Sequence, residues 1–486
     1  MRMLSMTRKN IRINPDFKRV IPRFFNSGNE RSVQIINKVV DMPENVVCEV
    51  LNGVLKEFSR RYKDIHKVFE NHYSRISHLV PAGVIVTKDR QHLLGAYFTM
   101  EYSLEAAALF NPSVVEAPDQ SGIPPGHKRV IVSFRATGES HISSIVFREG
   151  VIDKDCNITL DDPSHFLTEG KLTGEKRNDK EHFARQLNQL RLPEDLHVGI
   201  LHQLTNEFTY SEIDIILRNS LRGIKDPMDQ LSLKQHVLEL VDASYELHFP
   251  EHTSLGERVI FPVTYTEKNG IEDARFVKFT EEEGSCTYYA TYTAYDGSFI
   301  LPKLIKTCDF QHFEVHPLYG KGAVNKNLAL FPKKINGRYA MLSRIDGQNN
   351  YIMFSDDLYD WEEPQLLQQP KYPWEFVQIG NAGSPLETEK GWLIISHGVG
   401  PMRKYCLGAS LFDLEDPTKE LGRLQYPLLM PKEDERDGYV PNVVYSCGAM
   451  IHEGQVFIPY AVSDYASSFA SVPLDKLLKA LLKQSH

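Results

Sequence analysis

At 486 residues, 42% hydrophobic and 24% charged, the chain can bury one large core or split into roughly two to four domains. Its formal net charge of -9 argues against nucleic acid or an anionic membrane as the main partner, while leaving room for a local cationic pocket. The six cysteines (Cys48, Cys156, Cys286, Cys308, Cys406 and Cys447) include no Cys-x-x-Cys pair, which argues against a zinc site or a disulfide framework and for reduced thiols in a cytoplasmic setting.

The opening MRMLSMTRKNIRINPDF has basic residues but no apolar stretch behind them, so no secretory leader is expected. No run approaches the ~18 apolar residues that suggest a membrane span. Residues 29–78 carry apolar side chains at three- and four-residue steps, and an N-terminal helical region is expected over 1–80. From about Val80 short runs of Val, Ile, Tyr and Phe between Gly, Asp and Asn turns predict strands, over 81–160. A helical insertion is expected over 161–250, more strands over 251–473, and a closing amphipathic helix over 474–486.

The β portion repeats. KRVIVSFR, CTYYATYT, RYAMLSR, GWLIISH and QVFIPYA are strands rich in β-formers with a polar or aromatic group near the end: Arg135, Tyr292, Arg344, His397 and Tyr460. A period of about fifty residues made of short strands predicts propeller blades, here five, with the helical insertion lengthening one gap. Two sandwich domains would explain the strands but not the spacing. The expected fold is therefore an all-β core, a five-bladed β-propeller, with the helical additions named above.

In such a fold polar groups on the innermost strands meet near the axis. That gathers Arg135, Arg344 and His397 with the charged stretch GIEDARF around Asp273. Singly, a strand-end arginine is more often a structural salt bridge; at equivalent repeat positions they point to a ligand pocket. Glu101, Asn111, Ser113, Asn325, Lys326 and Asp464 feed the same place. Lys326, Arg344 and His397 suit an oxyanion, and the carboxylates, amide and hydroxyl suit a hydroxyl-rich ligand. A carboxylate beside a cationic site suggests acid-assisted cleavage with an anion as nucleophile.

The motifs FNPSVV, GIEDARF, NKNLALFPKKINGRYAMLSR, SDDLYDWEEP, GWLIISHGV, LFDLEDP and GYVPNVVYSCG resemble, in order and spacing, those of glycoside hydrolase family 130. The resemblance covers about 90 to 160 and 257 to 473, and the helical additions resemble a longer subgroup that contains β-1,2-mannoside phosphorylases. It implies a five-bladed propeller and inverting phosphorolysis of β-mannosides, β-1,2-linked manno-oligosaccharides among them, giving α-mannose 1-phosphate. Carried over by motif, Asp273 is the implied general acid; Lys326, Arg344, His397 and Arg135 hold phosphate; and Asn111, Ser113 and Asp464 bind the mannosyl unit. Glu101 and Arg275 join them as candidate substrate contacts. Inorganic phosphate is the implied co-substrate, with no cofactor and no metal. The chain departs from the family pattern at Ala274, where proline is usual, and at Asn327, where aspartate is common.

A phosphorolytic enzyme needs one acid and a positive cradle, whereas an inverting hydrolase needs two carboxylates. Two rivals stand beside phosphorolysis: a hydrolase on the same fold with Glu101, Glu272 or Asp464 as base, and a non-catalytic glycan-binding propeller. The loop TGESHISS reads as a polar segment near the site entrance and EDERDG, from Glu433, as a solvated loop. His312 and His316 lie in a strand-and-turn context that argues against a metal site, and Trp361 and Trp392 are expected between blades. The helical blocks are candidates for a homo-oligomer interface or for a cover over one end of the channel.

Overall fold

The computed structural model describes residues 4, 6–26, 28–173, 178–189, 192–224, 226–297 and 300–483. The expectations for residues 1–3 and for 484–486 of the closing helix lie outside the described residues.

Five sheets of four to six strands form the core. The first runs Ala108–Glu116, Lys128–Thr137, Ser143–Ile152, Arg258–Ile260 and Thr168–Glu169, and the second starts Ile271–Thr280, Cys286–Tyr295, Ile300–Thr307 and His312–Pro317. The third runs Ala329–Leu330, Tyr339–Ser343, Asn350–Ser355 and Gln365–Gln368; the fourth runs Gln378–Asn381, Gly391–Val399, Tyr405–Phe412 and Glu420–Arg423. The fifth runs Val444–Tyr445, Gln455–Val462, Ala466–Pro473 and Thr7–Ile13. Each repeated segment seen in the sequence is the second strand of its sheet, not the first. That corrects the expectation that these strands are innermost.

The apolar clusters lie between successive sheets. Phe147 and Phe276 sit between the first and second, Leu304 and Trp361 between the second and third, and Ile352 and Trp392 between the third and fourth. Ile395 and Ile458 join the fourth to the fifth, and Phe134 and Phe457 join the fifth back to the first. Burying a large side chain this way contributes about 1.5–3 kcal/mol each. Both Trp361 and Trp392 are fully buried between sheets.

The N-terminal region opens with strands rather than helices. Thr7–Ile13 adds to the outer side of Ala466–Pro473, tying the two ends of the chain into one sheet. Arg8 fixes it, donating to both carboxylate oxygens of Glu435 at 3.0 and 2.9 Å. Tyr460 also donates to Glu435, at 2.7 Å. Glu435 is therefore buried, the exception in EDERDG, whose other residues are exposed as expected of a solvated loop.

Helices Asn29–Val40, Glu44–Phe58 and Ile65–Ile76 follow, and Asp64 caps the last by accepting from Lys67 N. Lys88–Tyr97 is also helical, which corrects the expectation of strands from about Val80: Thr87 caps it and Leu93 and Leu94 pack onto the other helices. In the insertion, Lys180–Gln189, Glu194–Gln203, Tyr210–Ser220 and Pro227–Asp242 share a core through Phe183, Ile200, Leu217 and Val241. Arg185 docks this insertion on the third sheet through Asp357 and Asp360, at 2.9 and 3.2 Å. Helix Leu474–Leu482 packs Leu477, Leu478 and Leu481 against the fourth and fifth sheets. No helix among the described residues is long and apolar enough to cross a membrane.

Candidate active site

A cavity of about 330 Å³ draws its walls from all five sheets and the loops joining them. Asn111 and Arg135 come from the first sheet, Glu272 and Asp273 from the second, and Lys326 from the segment leading into the third. Arg344 directly follows the second strand of the third sheet; Gln378, His397 and Tyr405 belong to the fourth, and Tyr445 to the fifth. Arg403 and Asp464 stand on hairpin turns of the fourth and fifth.

The backbone is unusual here. The first strands of the first and second sheets shift register between Phe110 and Ser113 and between Glu272 and Arg275. Inside those bulges Asn111 and Asp273 are left-handed, with φ of 48° and 56°. Left-handed pairs also form the hairpin turns Ser140–His141, Met402–Arg403 and Ser463–Asp464. Each such residue costs about 1 kcal/mol, and this clustering is typical of functional sites.

Asp273 is the centre of the arrangement. Asn111 Nδ2 donates to its Oδ1 at 2.6 Å, and Arg135 Nη1 approaches the same oxygen at 3.4 Å. Behind it, Arg275 donates to the Asp273 carbonyl at 2.9 Å and to the Tyr445 hydroxyl at 2.7 Å. Burial pushes the Asp273 carboxyl up, but Arg135, Arg275, the Asn111 amide and Lys326 together hold it below its ordinary value. Asp464 goes the other way: burial and then the charge of Asp273 raise it to about 7, against the pull of Arg135 and Arg403. One carboxyl of the pair is thus ionised near neutrality while the other keeps its proton about half the time.

Glu272, next to Asp273, accepts from Arg135 Nη2 at 2.9 Å and from Lys326 Nζ at 2.5 Å. Among the described residues Arg344 and Arg403 make no close ion pair with a carboxylate, although Arg403 acts on Asp464 at longer range. His397 orients Arg344: its Nδ1 donates to the Asn381 carbonyl at 3.0 Å, which leaves Nε2 to accept from Arg344 Nη1 at 3.1 Å. Burial, Arg344 and Arg275 push the imidazole well below its ordinary value, so it is neutral. Asn381 is itself clasped by Asn327, which donates to its carbonyl at 2.8 Å and accepts in return at 2.6 Å.

Of the candidate residues, Asn111, Arg135, Asp273, Lys326, Arg344, His397 and Asp464 therefore come together. Three do not line the cavity. Ser113 is buried, its hydroxyl accepting from Phe276 N at 3.1 Å, so it braces the second sheet. Arg275 is 2% exposed and lies behind Asp273 as a brace. Glu101 sits elsewhere, lining an apolar cavity of the N-terminal helices, where Tyr62 donates to it at 2.7 Å and Arg61 lies at 3.0 Å. Its strand pairs with Val20–Phe24 in a separate two-stranded sheet, which carries it away from the site.

The sequence reading missed Arg403, Tyr405 and Tyr445 as site residues. The signal for Arg403 was present, since PMRKY follows GWLIISHGVG as SDY follows QVFIPYAV, a turn after the second strand of a repeat. TGESHISS is the matching turn of the first sheet, and His141 in it lies 3.3 Å from Tyr439, beside cavity-lining Val440. Tyr292, by contrast, donates at 2.6 Å to Glu267, which is fully buried with Lys303 away from the cavity. Among the described residues no group of three or more His, Cys, Asp or Glu side chains could hold a metal ion.

Residues 232–483 match the glycoside hydrolase family 130 model, described as beta-1,4-mannooligosaccharide phosphorylase. A 1,2-beta-oligomannan phosphorylase of Thermoanaerobacter sp. is 36% identical over 216 residues, which is 43% of this chain and 70% of that protein. A beta-1,2-mannobiose phosphorylase of Listeria innocua is 31% identical over 242 residues, 47% of this chain and 65% of that protein. A solved structure of beta-1,2-mannobiose phosphorylase from Listeria innocua, in complex with beta-1,2-mannobiose, aligns at 22% identity with a TM-score of 0.47, covering 79% of this chain and 94% of that one.

Proposed function

The chain belongs to glycoside hydrolase family 130, and we propose that it is an inverting phosphorylase of β-mannosides, with β-1,2-linked manno-oligosaccharides as its substrate class. One observation carries this reading. The Asp273 carboxyl, gripped by Asn111, faces the same cavity as Arg344 and Arg403, two cations that make no close ion pair with a carboxylate among the described residues.

Phosphate seats on Arg344 and Arg403, with Lys326 and Arg135 at its flank and His397 holding Arg344 in place. A dianion there weakens the positive field on Asp273 and favours its protonated form. A phosphate oxygen attacks the anomeric carbon from the face opposite the leaving sugar. The glycosidic C–O bond breaks, and the proton of Asp273 goes to the departing oxygen, directly or through a sugar hydroxyl. The β-mannoside becomes α-mannose 1-phosphate. In this reading Asn111 and Asp464 bind mannosyl hydroxyls.

Water as nucleophile would need a free carboxylate base. Glu101 lies outside the cavity and both oxygens of Glu272 are engaged by cations, which leaves Asp464, ionised about half the time at pH 7, as the one candidate base for a hydrolase. The cationic wall of the cavity favours an anionic nucleophile, which needs no base.

We also read the five sheets as the blades of a propeller. The apolar contact of the fifth sheet with the first, and the convergence of residues from all five on one cavity, support that reading. Incubation with β-1,2-mannobiose and longer β-mannosides, with and without phosphate, tests the function. Phosphate-dependent release of α-mannose 1-phosphate is expected; mannose release indifferent to phosphate would overturn it.

A further inference from the structure

We propose that Glu272 is an internal counter-anion of the phosphate site, seated between Arg135 and Lys326 and competing with incoming phosphate for those two cations. The inference rests on the phosphorylase reading and makes Glu272 a positioning residue for it.

Glu272 lines the cavity, with its side chain 12% exposed, and spends one oxygen on each cation. It is the side-chain partner of Lys326 Nζ, whose own side chain is 36% exposed. Arg135 is shared: 2.9 Å from Glu272 and a looser 3.4 Å from Asp273, with its ring-facing side over Phe110. The cradle is thereby divided. Arg344 and Arg403 are open, while Arg135 and Lys326 are already occupied by an anion of the chain itself.

Counted formally, Arg135, Lys326, Arg344 and Arg403 face Glu272, Asp273 and, when it is ionised, Asp464, an excess of one to two positive charges for a phosphate anion to meet. Without Glu272 the excess grows, and four clustered cations would hold phosphate and the sugar phosphate product too firmly for turnover. Freed from Glu272, Arg135 would also close on Asp273 and keep its proton away. Glu272 thus keeps phosphate exchangeable and Asp273 able to take a proton.

The test is calorimetric titration of inorganic phosphate into the full-length protein and its Glu272→Gln variant, alongside steady-state phosphorolysis. Glu272→Gln is expected to bind phosphate roughly tenfold more tightly, the scale expected for removing one like charge from a partly screened site, with a lower KM for phosphate and a lower kcat together. A purely structural salt bridge would instead leave phosphate affinity unchanged or weaken it, and either result overturns the proposal. Glu272→Asp keeps the charge but reaches one cation only, so its affinity should fall between the two. Should the Gln variant not fold, an affinity for Glu272→Asp equal to or weaker than that of the unmodified chain overturns the proposal. If the unmodified chain turns over with phosphate but Glu272→Gln binds it no more tightly, only this inference fails. If the unmodified chain neither binds phosphate nor releases mannose 1-phosphate, the phosphorylase reading fails and takes this inference with it.

Discussion

Asn111 and Asp273 are 162 residues apart in sequence and meet at 2.6 Å, each left-handed within a bulge of the first strand of its sheet. The two bulges face each other across the boundary between sheets. Each turns one polar side chain out of the ladder and into the cavity, which an unbroken strand would point along its face instead.

With Asp273 as the proposed proton donor, Asp273→Asn should lower phosphorolysis by about 10²–10⁴-fold. Phosphate binding, carried by the cations, should survive. Measuring both on the same preparation checks the role; a variant that loses phosphate binding along with activity would argue for a disrupted cradle.

Asn111→Ala removes a donor that favours the charged form of Asp273, so the carboxyl should ionise at higher pH. The alkaline limb of the pH–rate profile, where the acid loses its proton, should move upward. Absolute activity should fall as well, because the carboxyl loses its fixed orientation.

His397 contributes orientation rather than charge. With its pKa pushed well below the ordinary value, its ring should show no protonation between about pH 6 and pH 8 by NMR. His397→Ala should raise the KM for phosphate, by roughly tenfold for the loss of one charge-assisted contact to Arg344, more than it lowers kcat.

Asp464 predicts a pH-dependent stability. Its folded pKa of about 7 lies above the ordinary 3.8, so the stability it contributes is complete below 3.8 and is lost as pH rises towards 7. Asp464→Asn has no such dependence. Thermal unfolding at several pH values should show the variant gaining on the unmodified chain between about pH 4 and pH 7, then holding a constant difference.

Deleting residues through Ile13 should destabilise the whole β core, not only the terminus. It removes the outer strand of the fifth sheet and strands Glu435, 8% exposed, without Arg8. Loss of that ion pair alone should cost about 3 kcal/mol. Urea unfolding of the truncated chain gives the number.

How much of this was legible in the sequence follows from what local patterns encode. Alternating apolar residues report that a strand has a buried face, and the fifty-residue recurrence reports that one unit repeats. Those signals, with the ordered motifs, determined the all-β core, the helical additions, the family resemblance and the candidates Asp273, Arg344 and His397. They do not report which strand of a unit lies first in its sheet, nor where a bulge breaks the alternation. Tertiary structure alone decided that Asn111 clasps Asp273, that Ser113 and Arg275 brace the site from behind, and that Glu101 belongs to the helices. It decided too that His397 is neutral, because that state depends on burial and on Arg344 and Arg275, which come from other sheets. The joining of Thr7–Ile13 to Ala466–Pro473 is of the same kind: a pairing between distant segments leaves no periodicity in either, and only the folded chain brings them together.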